Sequence, residues 1–258
     1  MTTPTVRTAQ TGAVLRITWN RPDALNALTG EMLAHAATAI EHEAQDRAAR
    51  VIVLAGAGRA FSSGADLHQV NPDQSPDTET VEAANRLIRA IRTVPVPVVA
   101  AVRGAAAGVG CSIALAADLT VAAESAYFLL AFTGVGLMPD GGATAFVPAS
   151  IGRARATRMA MLAERIDAGT AEDWGLISAA VPDDRFDEKV DALVERLSSG
   201  PTAAYAQIKR ALDATSLGGL ESALEAERAG QLALFGTRDF AEGAAAFLGK
   251  RAPRFVGE

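Results

Sequence analysis

Val98-Val99-Ala100-Ala101-Val102-Arg103-Gly104-Ala105-Ala106-Ala107-Gly108-Val109-Gly110-Cys111-Ser112 carries an apolar, β-like run into a glycine-bearing turn and then into a segment able to turn helical. The same order occurs earlier in the chain, where Val51-Ile52-Val53-Leu54-Ala55 precedes Phe61-Ser62-Ser63-Gly64-Ala65-Asp66-Leu67. A strand, a glycine turn and a helix start leave backbone N–H groups free at one spot. Two such spots side by side make a pair of donors for a developing oxyanion. The turns point to chemistry on a carbonyl whose charge is held by main chain, with acid or base supplied from elsewhere.

Outward from these turns, strand and helix alternate up to about residue 150, the signature of an α/β core. Val14-Leu15-Arg16-Ile17-Thr18-Trp19 reads as a strand ending at the turn Asn20-Arg21-Pro22-Asp23. Residues 31–47 place Met32, Leu33, Ala36, Ala39 and Ile40 on one helical face. A polar, proline-bearing loop is expected over 71–77, a helix over 79–92, and short strands over 119–122 and 127–130. Beyond Ile151 the pattern predicts helices alone, over 153–162, 171–174, 184–197, 202–214, 220–235 and 240–248. We divide the chain into a core over 1–195 and a C-terminal helical region over 196–258 for oligomerisation and pocket closure.

Composition narrows the function classes. The 258 residues are 49% hydrophobic but only 5% aromatic, so the core is built from small aliphatic side chains. A net charge of −6 argues against sequence-independent nucleic-acid binding, which needs a basic face. A single cysteine, Cys111, rules out an intramolecular disulfide and fits a reducing compartment. The N-terminus has no apolar leader, and the long apolar stretch over 94–117 is broken by Pro95, Pro97, Arg103 and glycines. It reads as a buried strand and helix, so the expectation is a cytoplasmic protein without a membrane partner. His35 and His42 on a surface helix and His68 beside a loop have no metal-ligand spacing, and no metal is expected.

The chain resembles the crotonase, or enoyl-CoA hydratase/isomerase, superfamily over nearly its whole length. The matching pieces run in order. They are Arg21-Pro22 with Asn26-Ala27-Leu28, the turn over 61–67, Pro97 through Gly104, and Gly108 through Cys111 with Ala116-Ala117-Asp118. Next come Gly134-Val135-Gly136-Leu137-Met138-Pro139-Asp140-Gly141-Gly142, then Ala171 with Trp174-Gly175-Leu176-Ile177, and a tail from Phe240 to Arg251. The resemblance implies an α/β spiral of ββα units followed by a helical trimerisation region, assembled as a homotrimer or dimer of trimers. It also implies an acyl-CoA thioester as substrate, with coenzyme A part of that substrate and no separate cofactor. By position, the oxyanion donors are the N–H groups of Ala65 and Val109. The coenzyme A pocket falls on Ala24, Leu25, Ala65, Asp66 and Leu67, with Arg21 and Lys250 as candidate partners of its phosphates.

Hydratases of this family place two glutamates around the substrate, and those positions here hold Ser112 and Phe132. Adding water needs one group to activate it and another to protonate carbon. Serine is a poor base and phenylalanine transfers no proton, so the two-carboxylate mechanism is missing. Asp140 stands eight residues after Phe132, and its surroundings resemble branches that carry a catalytic aspartate there, nearest the ring-epoxyphenylacetyl-CoA isomerases. The other reading of Asp140 is an N-cap for the next helix. As a base, it would move a double bond by removing and returning a proton in a pocket lined by Ser112, Phe132 and Gly110. The alternatives are a hydratase using a water held by Ser112, a hydrolase or dehalogenase with Asp140 as nucleophile, or a non-catalytic acyl-CoA-binding protein. Cys111 reads as a buried packing thiol, Asp118 as structural, and Glu124 and Glu164 as solvated.

Overall fold

The computed structural model describes residues 4–67 and 78–258. A hairpin opens the chain: β1 (Val6–Thr11) turns at Gly12 and pairs antiparallel with β2 (Val14–Trp19). Helix α1 (Gly30–Asp46) starts where the Thr29 hydroxyl accepts the Met32 N–H, and it buries Met32, Leu33, Ala36, Ala37 and Ile40. β3 (Val51–Gly56), α2 (Thr78–Thr93) and β4 (Val98–Val102) follow. The chain then runs through β5 (Ala105–Ala107), α3 (Val109–Ala116), β6 (Leu119–Ala123), β7 (Tyr127–Leu129) and α4 (Ala143–Leu162). The last part comprises β8 (Ile166–Asp167), α5 (Ala168–Trp174), β9 (Ala179–Val181), α6 (Phe186–Ser199), α7 (Thr202–Ser216), α8 (Leu220–Phe235) and α9 (Arg238–Leu248). The α/β architecture expected from the sequence is observed, with a helical C-terminal region.

Six strands form one sheet in the order β1-β2-β3-β4-β6-β9, parallel from β2 onward, and β5-β7-β8 form a smaller one. The central strands are buried on both faces, which is why they lack polar alternation. Ile52, Leu54, Val98 and Ala100 meet α1, α2 and α3 in the main core, while Val51, Val53 and Val99 face Phe186, Val190 and Val194 of α6.

Three expectations need correction. The N-terminal strand β1 has no counterpart in the sequence reading, because Arg7-Thr8-Ala9-Gln10 faces solvent and carries little apolar signal. Helices do not stand alone beyond Ile151: β8 pairs with β7, and β9 adds an edge to β6. Both strands are two or three residues long, so tertiary pairing rather than periodicity defines them. α4 begins ten residues before the expected helix over 153–162 and contains a break at Gly152, where φ is 77°. The loop expected over 71–77 and His68 lie outside the described residues.

Asp118 is structural, as read. It accepts from the Val98 N–H at 2.8 Å and pairs with Lys209 of α7 at 2.9 Å and Arg92 of α2 at 3.0 Å. Lys209 also donates to the Ile91 carbonyl at 2.6 Å, pinning α7 to the core, and burial lowers its pKa. No helix among the described residues is long and apolar enough to cross a membrane.

Candidate active site

The two glycine turns lie against each other. Phe61 N–H donates to Arg103 C=O, Ser62 N–H to Ala105 C=O, and Ala107 N–H back to Ser62 C=O, so the first turn runs beside β5. A Cβ on Gly64 would stand 3.0 Å from the Ala107 carbonyl oxygen, and one on Gly108 3.4 Å from the Gly64 Cα. Backbones approach this closely only without side chains between them. Gly64 (φ 98°) and Gly108 (φ 53°) also hold left-handed conformations. The residues that follow them are Ala65 and Val109.

The direction of each N–H is fixed locally. Leu28 donates to the Gly64 carbonyl and accepts from the Asp66 N–H, so in this parallel bridge Ala65 turns its own N–H away from Leu28. Val109 is the first residue of α3, where an N–H has no partner inside the helix. Val109 is buried and Ala65 exposed, so the site opens on the Ala65 side. Gly110 packs on the first turn, where a Cβ would sit 2.7 Å from that of Ser62.

Ala24 and Leu25 join this end of the molecule. Ser63 N–H donates to Leu25 C=O, and Leu25 and Asn26 adopt left-handed φ values of 50° and 56°. The buried Asn26 carboxamide accepts from Arg21 N–H and donates to the carbonyls of Ala57 and Ala60, which holds that conformation. Arg21 pairs with Asp66 at 2.8 Å, beside Leu67. The candidate phosphate cation is thus already tied to a carboxylate. Lys250 is exposed beyond α9.

Asp140 sits over the start of α3. The Ser112 hydroxyl, fully buried, donates to the Asp140 carbonyl at 2.7 Å, and a Cβ on Gly141 would lie 3.5 Å from Val109 Cγ2. Asp140 is 7% exposed. Its Oδ2 accepts from Gln231 Nε2 of α8 at 2.8 Å, while Oδ1 is buried without a partner among the described residues. Burial pushes this carboxyl up to about 7. The Gln231 bond opposes that rise and the Glu227 charge adds to it. A carboxyl poised near neutrality in an apolar setting is suited to take and give back a proton. Phe128, Leu130 and Phe132 are all buried in the same core.

The N-cap reading of Asp140 is overturned. α4 begins after Gly142, and its free N–H groups are met by Glu227, reaching over from α8. One carboxylate oxygen accepts from Gly142 N–H at 2.7 Å, the other from Thr144 N–H at 2.8 Å and the Thr144 hydroxyl at 2.6 Å. Sequence reasoning missed Glu227 and Gln231, because a glutamate and a glutamine on a helix 16 residues long read as solvated surface. The available signal was Gly141-Gly142, a helix start with no capping side chain of its own, whose orphan donors must be met from outside. Replacing Glu227 by alanine strands those donors in the interior, and we expect a loss of about 3 kcal/mol in urea unfolding.

Ser112 holds the Asp140 backbone, so its proton is already committed to the Asp140 carbonyl. Cys111 is fully buried, and burial pushes its thiol up to about 12, in keeping with a packing role. A separate cavity of about 340 Å³ lies on the far face of the large sheet. Its two arginines are already paired, Arg16 with Asp191 and Arg103 with Asp187.

Comparison with known proteins finds relatives over nearly the whole chain. The family model described as enoyl-CoA hydratase/isomerase matches residues 9–258. A Rhodobacter capsulatus protein named "Probable enoyl-CoA hydratase" is 47% identical over 245 residues, 93% of each chain. The 1,2-epoxyphenylacetyl-CoA isomerase of Escherichia coli is 38% identical over 95% of each chain. The crystal structure of an enoyl-CoA hydratase from Mycobacterium avium subsp. paratuberculosis superposes with a TM-score of 0.92 at 46% identity, covering 98% of this chain and 99% of that one.

Proposed function

This chain belongs to the enoyl-CoA hydratase/isomerase family, and from that membership we propose that it isomerises an enoyl-CoA thioester with Asp140 as its single base. The observation that carries the reading is the buried Asp140 carboxyl, with one oxygen lacking a partner among the described residues. The backbone carbonyl of Asp140 is held by Ser112 of α3 and its Oδ2 by Gln231 of α8, while the positions of the family's two glutamates hold Ser112 and Phe132. Glu227, the other buried carboxylate nearby, has both oxygens engaged in capping α4 and is not available to activate water.

In the proposed reaction the ionised Asp140 takes an allylic proton from the acyl chain. The C–H electron pair enters the conjugated thioester, whose oxygen becomes negative. The Ala65 and Val109 N–H groups receive that charge, and being fixed before reaction they need no reorganisation. Asp140 then returns the proton to the other end of the allyl system. Buried Phe132 and Leu130 exclude water that would quench the intermediate. We assign coenzyme A to the region of Ala24, Leu25, Asp66 and Leu67, which the Ser63–Leu25 and Asp66–Leu28 hydrogen bonds hold together. Apolar side chains exposed on the C-terminal helices, Ile208 and Leu212 of α7 and Phe247 of α9, support the expected assembly of copies.

Turnover in water enriched in heavy oxygen tests the reading. Double-bond migration without label in the product is expected, whereas rapid label uptake from crotonyl-CoA would identify a hydratase. The pH profile gives a second prediction. A base must be ionised, so kcat/KM should rise with pH and level off above about 7, the region where Asp140 loses its proton.

A further inference from the structure

We propose that Gln231 is the positioning residue that carries Asp140 through its proton cycle, pairing with the ionised carboxylate through Nε2–H and with the protonated acid through Oε1 as well. This rests on the reading of Asp140 as the base. Gln231 is 1% exposed, and its Nε2 donates to Asp140 Oδ2 at 2.8 Å. Two oxygens of this pair, Asp140 Oδ1 and Gln231 Oε1, are buried with no partner among the described residues. Two acceptors without a donor are costly in an interior.

One proton resolves both. A carboxyl and an amide are planar groups with two polar atoms at nearly the same spacing. With one pair bonded, rotation about that bond brings the other pair face to face when the two planes align. Protonated on Oδ1, Asp140 becomes a donor and Gln231 Oε1 its acceptor, closing a ring of two hydrogen bonds. In turnover the C–H bond breaks and an O–H bond forms on Oδ1 as the electron pair enters the thioester. The reverse transfer breaks O–H and forms the new C–H bond. Gln231 changes neither bond and holds the neutral acid between the two transfers.

The fold delivers Gln231 to this point. Gly230, just before it on α8, lies so close to Met138 that a Cβ there would stand 2.1 Å from the Met138 sulfur, which draws the segment before Asp140 onto the helix backbone. The groups facing Asp140 are Gln231 and Glu227 of α8, the N-terminal end of α4 and the neutral Ser112 of α3.

Infrared difference spectra of the full chain, with Asp140→Asn to assign the band, test the pairing. A protonated-carboxyl band that disappears as pH rises through about 7 is expected in the parent protein. In Gln231→Met this band should move to higher frequency, and kcat should fall roughly tenfold, the effect of one hydrogen bond, with KM nearly unchanged. Gln231→Glu keeps an acceptor oxygen and should restore the lower frequency in acid, where the new carboxyl is neutral. It also serves if the methionine variant folds poorly. A band indifferent to residue 231, or no Asp140 band at any pH, overturns the proposal. If Asp140→Asn keeps full isomerase activity while the band still shifts, the base assignment falls and the pairing stands.

Discussion

Asp140→Asn is expected to lower isomerase turnover by about 10²- to 10⁴-fold, the range that a positioned acid–base group contributes, while leaving the protein folded. Asparagine has nearly the same shape and still offers Gln231 Nε2 an acceptor, so the 2.8 Å bond can persist. What it lacks is the ability to take a proton. The same variant should be more stable than the parent at alkaline pH. The Asp140 carboxyl is raised from its ordinary value near 3.8 to about 7. A group whose pKa is higher in the folded state binds its proton more tightly there. Its stabilising contribution is complete below the unfolded value and is lost as pH climbs through the folded one. The interval from 3.8 to about 7 corresponds to roughly 4 kcal/mol of lost stability once the carboxyl is ionised in place. Removing the charge recovers part of it, at about 2–4 °C in Tm per kcal/mol for a chain of this size. Thermal melts at pH 8 should therefore favour the variant, with the advantage shrinking towards pH 4. Full activity in Asp140→Asn, or equal melts at both pH values, would contradict this account.

That opposition between expected activity and expected stability would be characteristic of a site held for chemistry. Asp140 is kept ionisable where ionisation is costly, and the surroundings both raise and restrain its pKa. Burial is the main cause of the rise, Glu227 adds to it, and Gln231 works against it. Two residues of one helix, four apart and hence on the same face, thus both bear on one carboxyl.

The parts of this site legible in the sequence are those defined by backbone. Gly64 and Gly108 marked turns because glycine is the residue that tolerates φ of 98° and 53° at close approach. The two-sided burial of Val51 and Val98 was readable as unbroken apolar runs. Asp140 was readable as the one carboxylate near a pocket otherwise lacking them, but its choice between capping the next helix and leaving that end to another residue was not. That choice depended on Glu227, 87 positions away, occupying the helix end instead. Long-range side-chain pairing leaves no periodicity in a single sequence. The same holds for Gln231, and for β8 and β9, whose two or three residues become strands only because β7 and β6 present open edges.

Gly64→Val should separate the two proposed donors and so test the role of the turns independently of Asp140. At φ 98° a β-branched side chain is an outlier, and its Cβ would stand 3.0 Å from the Ala107 carbonyl oxygen and 3.5 Å from the Ala107 carbonyl carbon. The neighbours cannot yield cheaply, since these are backbone atoms already committed: Ala107 N–H bonds Ser62 C=O, and Gly108 N–H bonds Leu129 C=O. Strain of this kind costs about 1–3 kcal/mol. The least resistant path for its relief is movement of the exposed Ala65 side, because Val109 is fixed in α3. Ala65 N–H would then leave the position where it meets the thioester oxygen. Loss of one such donor lowers kcat by about 10²- to 10³-fold, on top of a modest fall in Tm. The pH dependence supplies the discriminating observation. Because Asp140 is untouched, the residual activity of Gly64→Val should keep the rise through about pH 7, whereas Asp140→Asn should abolish it. A Gly64→Val protein that folds and turns over at the parental rate would mean that the two turns meet for packing alone.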